Sequence, residues 1–363
     1  MERASVVNVL KRVAPALGTK DILPVLACFC FDGKNVTAYD DVVALRAPFP
    51  SPIVGGVRGR LLLDFLTACR GKYVDLKTDE TSSVLIKSGR AKLNQPLLAR
   101  DSFIFMMPKT EGATEVSVSG PFLGALNLAL VSMGRDSTYP WMLGVTVQFG
   151  EKGATLFSTD NRSATKVFLK GMKGPPNGLT VVLPPRFCEL LSDVGREDKI
   201  KSLAITKEWS IAVFASGLRL FSRTVQTSDV RTYQTIFKEA STLKDSLVDV
   251  PKGLDRALEQ ALAVMPWAAE KYTKLEVRGG DLIVTTISQA GNVRNQVPMT
   301  GHEAVRADVP PDALLRALSL AEKILVSEKY VLLSKGTWTH LVTTVLQSGV
   351  SAPAADEDLA EEE

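Results

Sequence analysis

GKNVTAYDDVVALRAP, residues 33–48, is the stretch on which the fold turns, because the chain repeats it. It returns as KGATLFSTDNRSATKVFL (152–169) and, more diverged, as GGDLIVTTISQAGNVRNQV (279–297). Each copy is an apolar strand, a polar turn and a second alternating strand. The turns are Asp40-Asp41, Asp160-Asn161-Arg162 and Gln289-Ala290-Gly291-Asn292, built from residues that bend a chain between strands. Asp40 and Asp160 are 120 residues apart, and Asp160 and Ser288 are 128 apart.

Working outward, a second element follows each hairpin: RLLLDFLTACRG (60–71), VVLPPRFCELLSDVG (181–195) and RADVPPDALLRALSLAEK (306–323). A strand end runs into a helix, twice through Pro-Pro, which the first helical turn tolerates. Phe65, Phe187 and Ala313 are spaced by 122 and 126 residues, nearly the hairpin period. A third element opens each unit: SVVNVLKRVAPAL (5–17), PFLGALNLALVSM (121–133) and LDRALEQALAVMP (254–266). Helical spacing puts Val6, Val9, Leu10 and Val13 on one face of the first. The others carry stripes of Phe122, Leu126, Leu130 and Met133, and of Leu254, Leu258, Leu262 and Met265, which are core faces. Each third reads helix, strands, helix, strands: an α+β unit of two β-rich halves with one helix each. The expected domains are 1–115, 116–242 and 243–350, with linker composition at 108–115 and a charged, turn-rich stretch at 238–250. The tail 351–363 is Ala, Pro and acid, too poor in apolar residues to order itself.

With 363 residues and 45% apolar content the chain has enough material for three cores. No apolar run approaches the ~18 residues that span a bilayer, and the N-terminal segment has no signal-peptide pattern, so a cytoplasmic location and no membrane partner are expected. Cys28, Cys30, Cys69 and Cys188 contain no CxxC pair and read as buried free thiols. Only two histidines occur, His302 and His340, and neither lies in a metal-binding spacing. No phosphate-cradling glycine loop or nucleophile elbow is present. Asp40, Asp41 and Asp160 could be imagined as Mg²⁺ ligands of a phosphoryl-transfer enzyme. They fall at equivalent turns of different repeats, which would hold them far apart, and turn formation accounts for them. No enzyme, cofactor or metal is expected. The six acids of the tail leave residues 1–350 with 43 basic against 34 acidic residues, a net of +9. A basic body with an acidic tail suits a polyanionic partner.

The ordered series of these segments resembles the bacterial sliding clamp family, the beta subunit of DNA polymerase III. The resemblance runs through residues 1–350. LGTKDILPVLACFCF (17–31), the first hairpin, CRG (69–71) and IKSGRAKLNQPLLARDSF (86–103) match in the first unit. GRDSTYPWMLGVTVQF (134–149), the Thr159-Asp160 hairpin, VVLPPRFCELL and the run 213–237 match in the second, and the third matches mostly by spacing. The resemblance implies a head-to-tail homodimeric ring of six domains, with helices inside and sheets outside. It implies a clamp that encircles double-stranded DNA non-specifically and tethers the replicative DNA polymerase as a processivity factor, placed by a clamp loader. The alternative reading is a clamp-like interaction module that binds replication partners without encircling DNA.

A sliding ring needs dispersed cations facing phosphates rather than base readout. The helical candidates are Lys11, Arg12, Arg70, Lys72, Arg196, Arg256, Arg316 and Lys323. The resemblance adds Lys20 and Arg90, and the loop 134–141 with Arg135, Tyr139 and Trp141. It also implies a hydrophobic cleft for partner peptides, lined by Met142, Thr159, Asn161, Arg162, Ala164 and Ile236 and completed by Thr344, Val345 and Leu346. Pro266 and Trp267 fall where the dimer contact is expected. The sequence departs from the family at the cleft: Asn161-Arg162-Ser163-Ala164 replaces Gly-His-Arg-Leu, Arg231 falls near a family proline, and Thr344-Val345-Leu346 replaces Met-Pro-Met. These departures point to a divergent replication system, a phage's among the candidates, with its own partner peptides.

Overall fold

The structure is a computed structural model describing residues 1–19, 23–78, 82–135, 139, 142–225, 231–265 and 271–345. The first third runs through helix α1 (Arg3–Val13), strands β1 (Cys28–Asp32), β2 (Asn35–Tyr39), β3 (Val43–Pro48) and β4 (Val54–Arg58), helix α2 (Gly59–Ala68), and strands β5 (Asp75–Thr78), β6 (Ser83–Ser88) and β7 (Ala91–Pro96). The middle third has β8 (Thr114–Ser117), α3 (Phe122–Ala129), β9 (Val145–Phe149), β10 (Gly153–Thr159), β11 (Ser163–Lys170), β12 (Leu179–Leu183), α4 (Pro185–Gly195), β13 (Ile200–Ile205), β14 (Trp209–Phe214), β15 (Arg219–Arg223) and α5 (Arg231–Ser241). The last has β16 (Val248–Asp249), α6 (Leu254–Ala263), β17 (Thr273–Arg278), β18 (Asp281–Ser288), β19 (Gly291–Pro298), β20 (Val305–Val309), α7 (Pro311–Leu318), β21 (Lys323–Val326), β22 (Tyr330–Lys335) and β23 (Trp338–Thr343).

The same strand order is built three times: β4-β1-β2-β3, β12-β9-β10-β11 and β20-β17-β18-β19. The strands after the second helix repeat likewise, each set edged by the strand that opens its third, as β8-β13-β14 and β16-β21-β22; at β5-β6-β7 that edge is an isolated bridge from Glu2 to Tyr73. Contacts divide the chain into two compact units: Met1–Ser241 with Gly336–Thr339, and Thr242–Lys335 with the segment from His340 onward.

The hairpin chemistry is legible atom by atom. At the β2–β3 turn the Asp40 carboxylate accepts the backbone N–H groups of Val42 (3.0 Å) and Val43 (2.8 Å). At the β10–β11 turn Asp160 accepts those of Arg162 (3.1 Å) and Ser163 (2.8 Å). The next residues, Asp41 and Asn161, take left-handed φ values of 80° and 69°, a conformation that short polar side chains tolerate best among non-glycines. In the third hairpin, Ser288 Oγ accepts the Ala290 N–H at 3.1 Å instead. These aspartates are turn formers, and among the described residues no three His, Cys, Asp or Glu gather as a metal site.

The apolar stripes are core. Val6, Leu10 and Val13 of α1, Phe122 and Leu126 of α3, and Leu254 and Leu258 of α6 are buried, while Val9, Leu130 and Leu262 are half-buried. Helices pack in pairs, α1 with α2, α3 with α4 and α6 with α7. All four cysteines are free and buried; burial pushes the Cys30 thiol up to about 11, against the pull of Arg100. The stretch 238–250 is more ordered than its turn-rich composition suggests. It starts inside α5, whose Phe237 and Ala240 are buried, and continues through a 3₁₀ turn at Lys244–Ser246. Helical periodicity supplied an apolar face that composition alone did not reveal.

Within the first unit, two thirds of the chain are joined edge to edge. Strand β3 pairs with β15, setting Leu45 opposite Leu220 and Ala44 opposite Phe221, to make an eight-stranded sheet, β4-β1-β2-β3-β15-β14-β13-β8. The connector between them lays Phe105 against Tyr39, Trp209 and Phe221, with ring centroids 5.1, 5.8 and 5.6 Å away. The joint also opposes Arg46 to Arg219. Asp32 neutralises Arg46 at 2.5 Å while accepting the N–H groups of Lys34 and Asn35. Burial alone would raise the Asp32 carboxyl, but these donors outweigh it and hold it below its ordinary value. Asp32→Asn is expected to lower stability at pH 7. A depressed carboxyl stabilises the fold above its unfolded pKa, and that advantage disappears as pH falls through the folded value. Urea unfolding of wild type and variant should therefore converge as pH falls through the folded pKa of Asp32, which lies below the ordinary carboxylate value.

Candidate nucleic-acid interface

The proposed DNA-facing cations occupy helix ends and turns. Lys11 on α1, Arg70 and Lys72 after α2, Arg90 in the β6–β7 turn, Arg135, Arg196 after α4, Arg256 on α6 and Arg316 on α7 are exposed. Among them, Arg135 is ion-paired with Glu189 at 3.0 Å and Arg196 with Asp193 at 3.9 Å. Such solvent-exposed pairs are worth about 0–1 kcal/mol and open readily to a phosphate. Arg12 is half-buried and held by Asp198 and Ser216, so in this conformation it ties α1 to the middle third of the chain. Lys323 lies at the start of β21 rather than on α7, 2.8 Å from Asp249. Lys20 and Trp141 lie outside the described residues, as do Pro266, Trp267 and Leu346. Tyr139 is exposed.

Five of the cleft candidates are gathered by the β10–β11 hairpin and the segment threaded beside it. Gly134 is wedged where a Cβ would meet Met142 O at 2.4 Å and Thr159 O at 2.8 Å, so only glycine allows that approach. Ala164 pairs with Thr159 across the hairpin, and both are buried with Met142. Thr159 Oγ1 donates to Ser163 O at 2.7 Å and accepts the Asn161 N–H at 3.3 Å. This bracing of the turn leaves Asn161 and Arg162 exposed at the tip. Ile236 is exposed on α5, which is fastened to β10 by Phe237 against Phe157, at 6.2 Å between centroids. In the second unit, the Thr344 hydroxyl donates to Glu328 O and the Val345 N–H donates to Asp308 O at 2.9 Å.

Sequence reading overlooked the support beneath this hairpin. Ser132, Ser158 and Thr165 are completely buried. Ser132 Oγ donates to Thr165 Oγ1 at 2.6 Å, and Ser158 Oγ donates to Ala129 O at 2.5 Å. The network fixes the end of α3 to the hairpin and so sets where the chain leaves for Gly134. The available signal was Ser158 and Thr165, cross-strand partners with hydroxyls on an otherwise apolar face; buried hydroxyls require partners.

The fold recurs in known structures. The DNA polymerase III subunit beta of Pseudomonas aeruginosa superposes with a TM-score of 0.82 at 16% identity, over 95% of this chain and 98% of that one. The DNA polymerase sliding clamp of Bacillus subtilis gives 0.80 at 17% identity, over 96% and 98%. This chain has the fold of the bacterial sliding clamps. In sequence, the beta sliding clamp of Streptomyces coelicolor is 25% identical over 227 residues, 60% of this chain and 57% of that protein's length. No family model matches the chain. The α+β clamp fold accounts for the repeated strand order and the paired helices. Among the described residues no helix is long and apolar enough to cross a membrane.

Proposed function

We propose that the protein is a DNA sliding clamp: a head-to-tail homodimer of three-domain chains that encircles duplex DNA and tethers a polymerase. It acts by topology, without catalysing a reaction or needing a cofactor. The observation that carries this reading is the β3–β15 joint. There the last strand of one β4-β1-β2-β3 set pairs with the last strand of the following third. The equivalent strand of the last third, β19, ends its four-stranded sheet, and β7 ends the three-stranded sheet of the first. Joining β19 of one copy to β7 of another repeats the same joint heterologously, and two such joints close a two-fold ring. The domains would be 1–115, 116–242 and 243–350. The likeness to solved clamps and the net charge of +9 over residues 1–350 support DNA as the encircled partner, with a loader and polymerase docking at the Met142–Thr159–Ala164 cleft.

Tethering raises the polymerase's effective concentration at the primer end without tight DNA binding. The test is solution mass by multi-angle light scattering with a small-angle scattering profile. A mass near twice 39.3 kDa with a hollow profile is the expected result. A compact monomer would remove encirclement and leave a clamp-like module that binds replication partners off DNA.

A further inference from the structure

The loop after α2 carries a tyrosine that the clamp reading leaves without a task. Tyr73 is 63% exposed, more than any other tyrosine among the described residues. The Lys72 ammonium lies 5.6 Å from its ring centroid. The loop is held rigidly: the Arg3 N–H donates to Lys72 O at 2.9 Å, Arg3 Nε to Gly71 O at 2.8 Å, and the Val74 N–H to Met1 O at 2.8 Å. It is also pressed onto the β6–β7 turn. A Cβ on Gly71 would sit 2.7 Å from Ser88 Oγ and 2.8 Å from Gly89 N. This contact sets the backbone between Arg70 and Lys72 against the turn that carries Arg90. All three are exposed. Of the nearby acids, Asp75 is paired with Lys77 at 3.5 Å, and Glu2 accepts from Ser5 at 3.5 Å.

Resting on the DNA-clamp reading, we infer that Arg70, Lys72, Tyr73 and Arg90 form a contact for single-stranded DNA, with an unpaired base stacking on Tyr73. A rigid exposed aromatic flanked by cations is the chemistry of an unpaired strand. A duplex stacks its base faces away and offers its phosphates, sugars and groove edges instead. The patch would hold the unpaired template where it leaves a primed duplex, while the dispersed helix cations attract the duplex itself.

The test uses the full chain at low salt and fluorescence anisotropy with labelled oligo-dT and a blunt duplex of equal length. Tyr73→Ala should weaken oligo-dT binding about tenfold, since one stacked base is worth that much, and change duplex binding less than about twofold. Tyr73→Phe should retain oligo-dT binding, because the ring is kept. Arg70→Ala should weaken both and flatten their salt dependence. Oligo-dT carrying 5-iodouracil should photocrosslink to Tyr73. Unchanged oligo-dT binding by Tyr73→Ala, with duplex binding intact in wild type, overturns this inference and leaves the clamp reading standing. Wild-type protein that does not bind oligo-dT also overturns this inference, while the clamp reading is then decided by the solution mass and scattering profile. A Tyr73→Ala protein that sediments as a smaller species assigns Tyr73 to a contact between copies and also overturns it.

Discussion

A double variant, Leu93→Asp with Val293→Asp, is expected to elute at 39.3 kDa where the wild type elutes at twice that mass. Leu93 lies on β7 and Val293 on β19, and both are half-buried. At the β3–β15 joint the apolar residues in this situation, Leu45 and Leu220, face each other and are fully buried. Leu93 and Val293 are half-exposed because each lies on a strand with a neighbour on one side only. If β7 of one copy pairs with β19 of the next, two carboxylates enter each apolar seam. Burying an unpaired polar group costs about 1–3 kcal/mol by mutational measure, and the ring has two seams with two such groups in each. A loss on the order of 4–12 kcal/mol, or about 10³ to 10⁹ in the dimer constant, follows. Circular dichroism and urea unfolding of the variant should remain native-like, since both positions are at sheet edges. A folded variant that remains a dimer would locate the contact between copies elsewhere.

Gly144→Ala should be the most damaging single methyl group in the molecule's candidate cleft region. Gly144 has φ +108°, and a Cβ there would lie 2.0 Å from Leu183 O. Its N–H donates to Gly134 O at 3.2 Å and Met142 O at 3.1 Å, so the residue ties Gly134 and Met142 together just before β9 begins its pairing with β12. Relief requires moving β12 away from β9 or releasing the loop. A loss of about 3 kcal/mol or more is expected, read as a lower urea midpoint with unchanged slope. Gly124→Ala makes the contrast. It is an exposed position on α3 with nothing within 4 Å of the added carbon, so the same methyl group should stabilise by about 0.5–1 kcal/mol through helix propensity and reduced unfolded-state freedom. Equal effects at both positions would show that the close approach at Leu183 is not what constrains Gly144.

Much of this molecule was determined by local sequence chemistry. The hairpin turns needed Asp40 and Asp160 to cap two N–H groups each, and Pro184-Pro185 and Pro310-Pro311 needed only a helix start to follow. The apolar stripes of α1, α3 and α6 followed from a 3.6-residue period, and the recurrence of all these signals defined the clamp-like architecture. Tertiary structure decided what those elements do to one another. Arg12 has the sequence context of a solvated helix cation, yet Asp198 and Ser216, 186 and 204 residues away, hold it. Gly134 and Gly144 look like any loop glycines until Thr159 and Leu183 come within contact distance. Tyr73 became a candidate only when Gly71 met Gly89 and set two cation-bearing turns against each other. Turns, caps and amphipathic faces depend on neighbours along the chain, so the sequence states them directly. Side-chain partners and forced glycines depend on atoms that folding alone brings into reach.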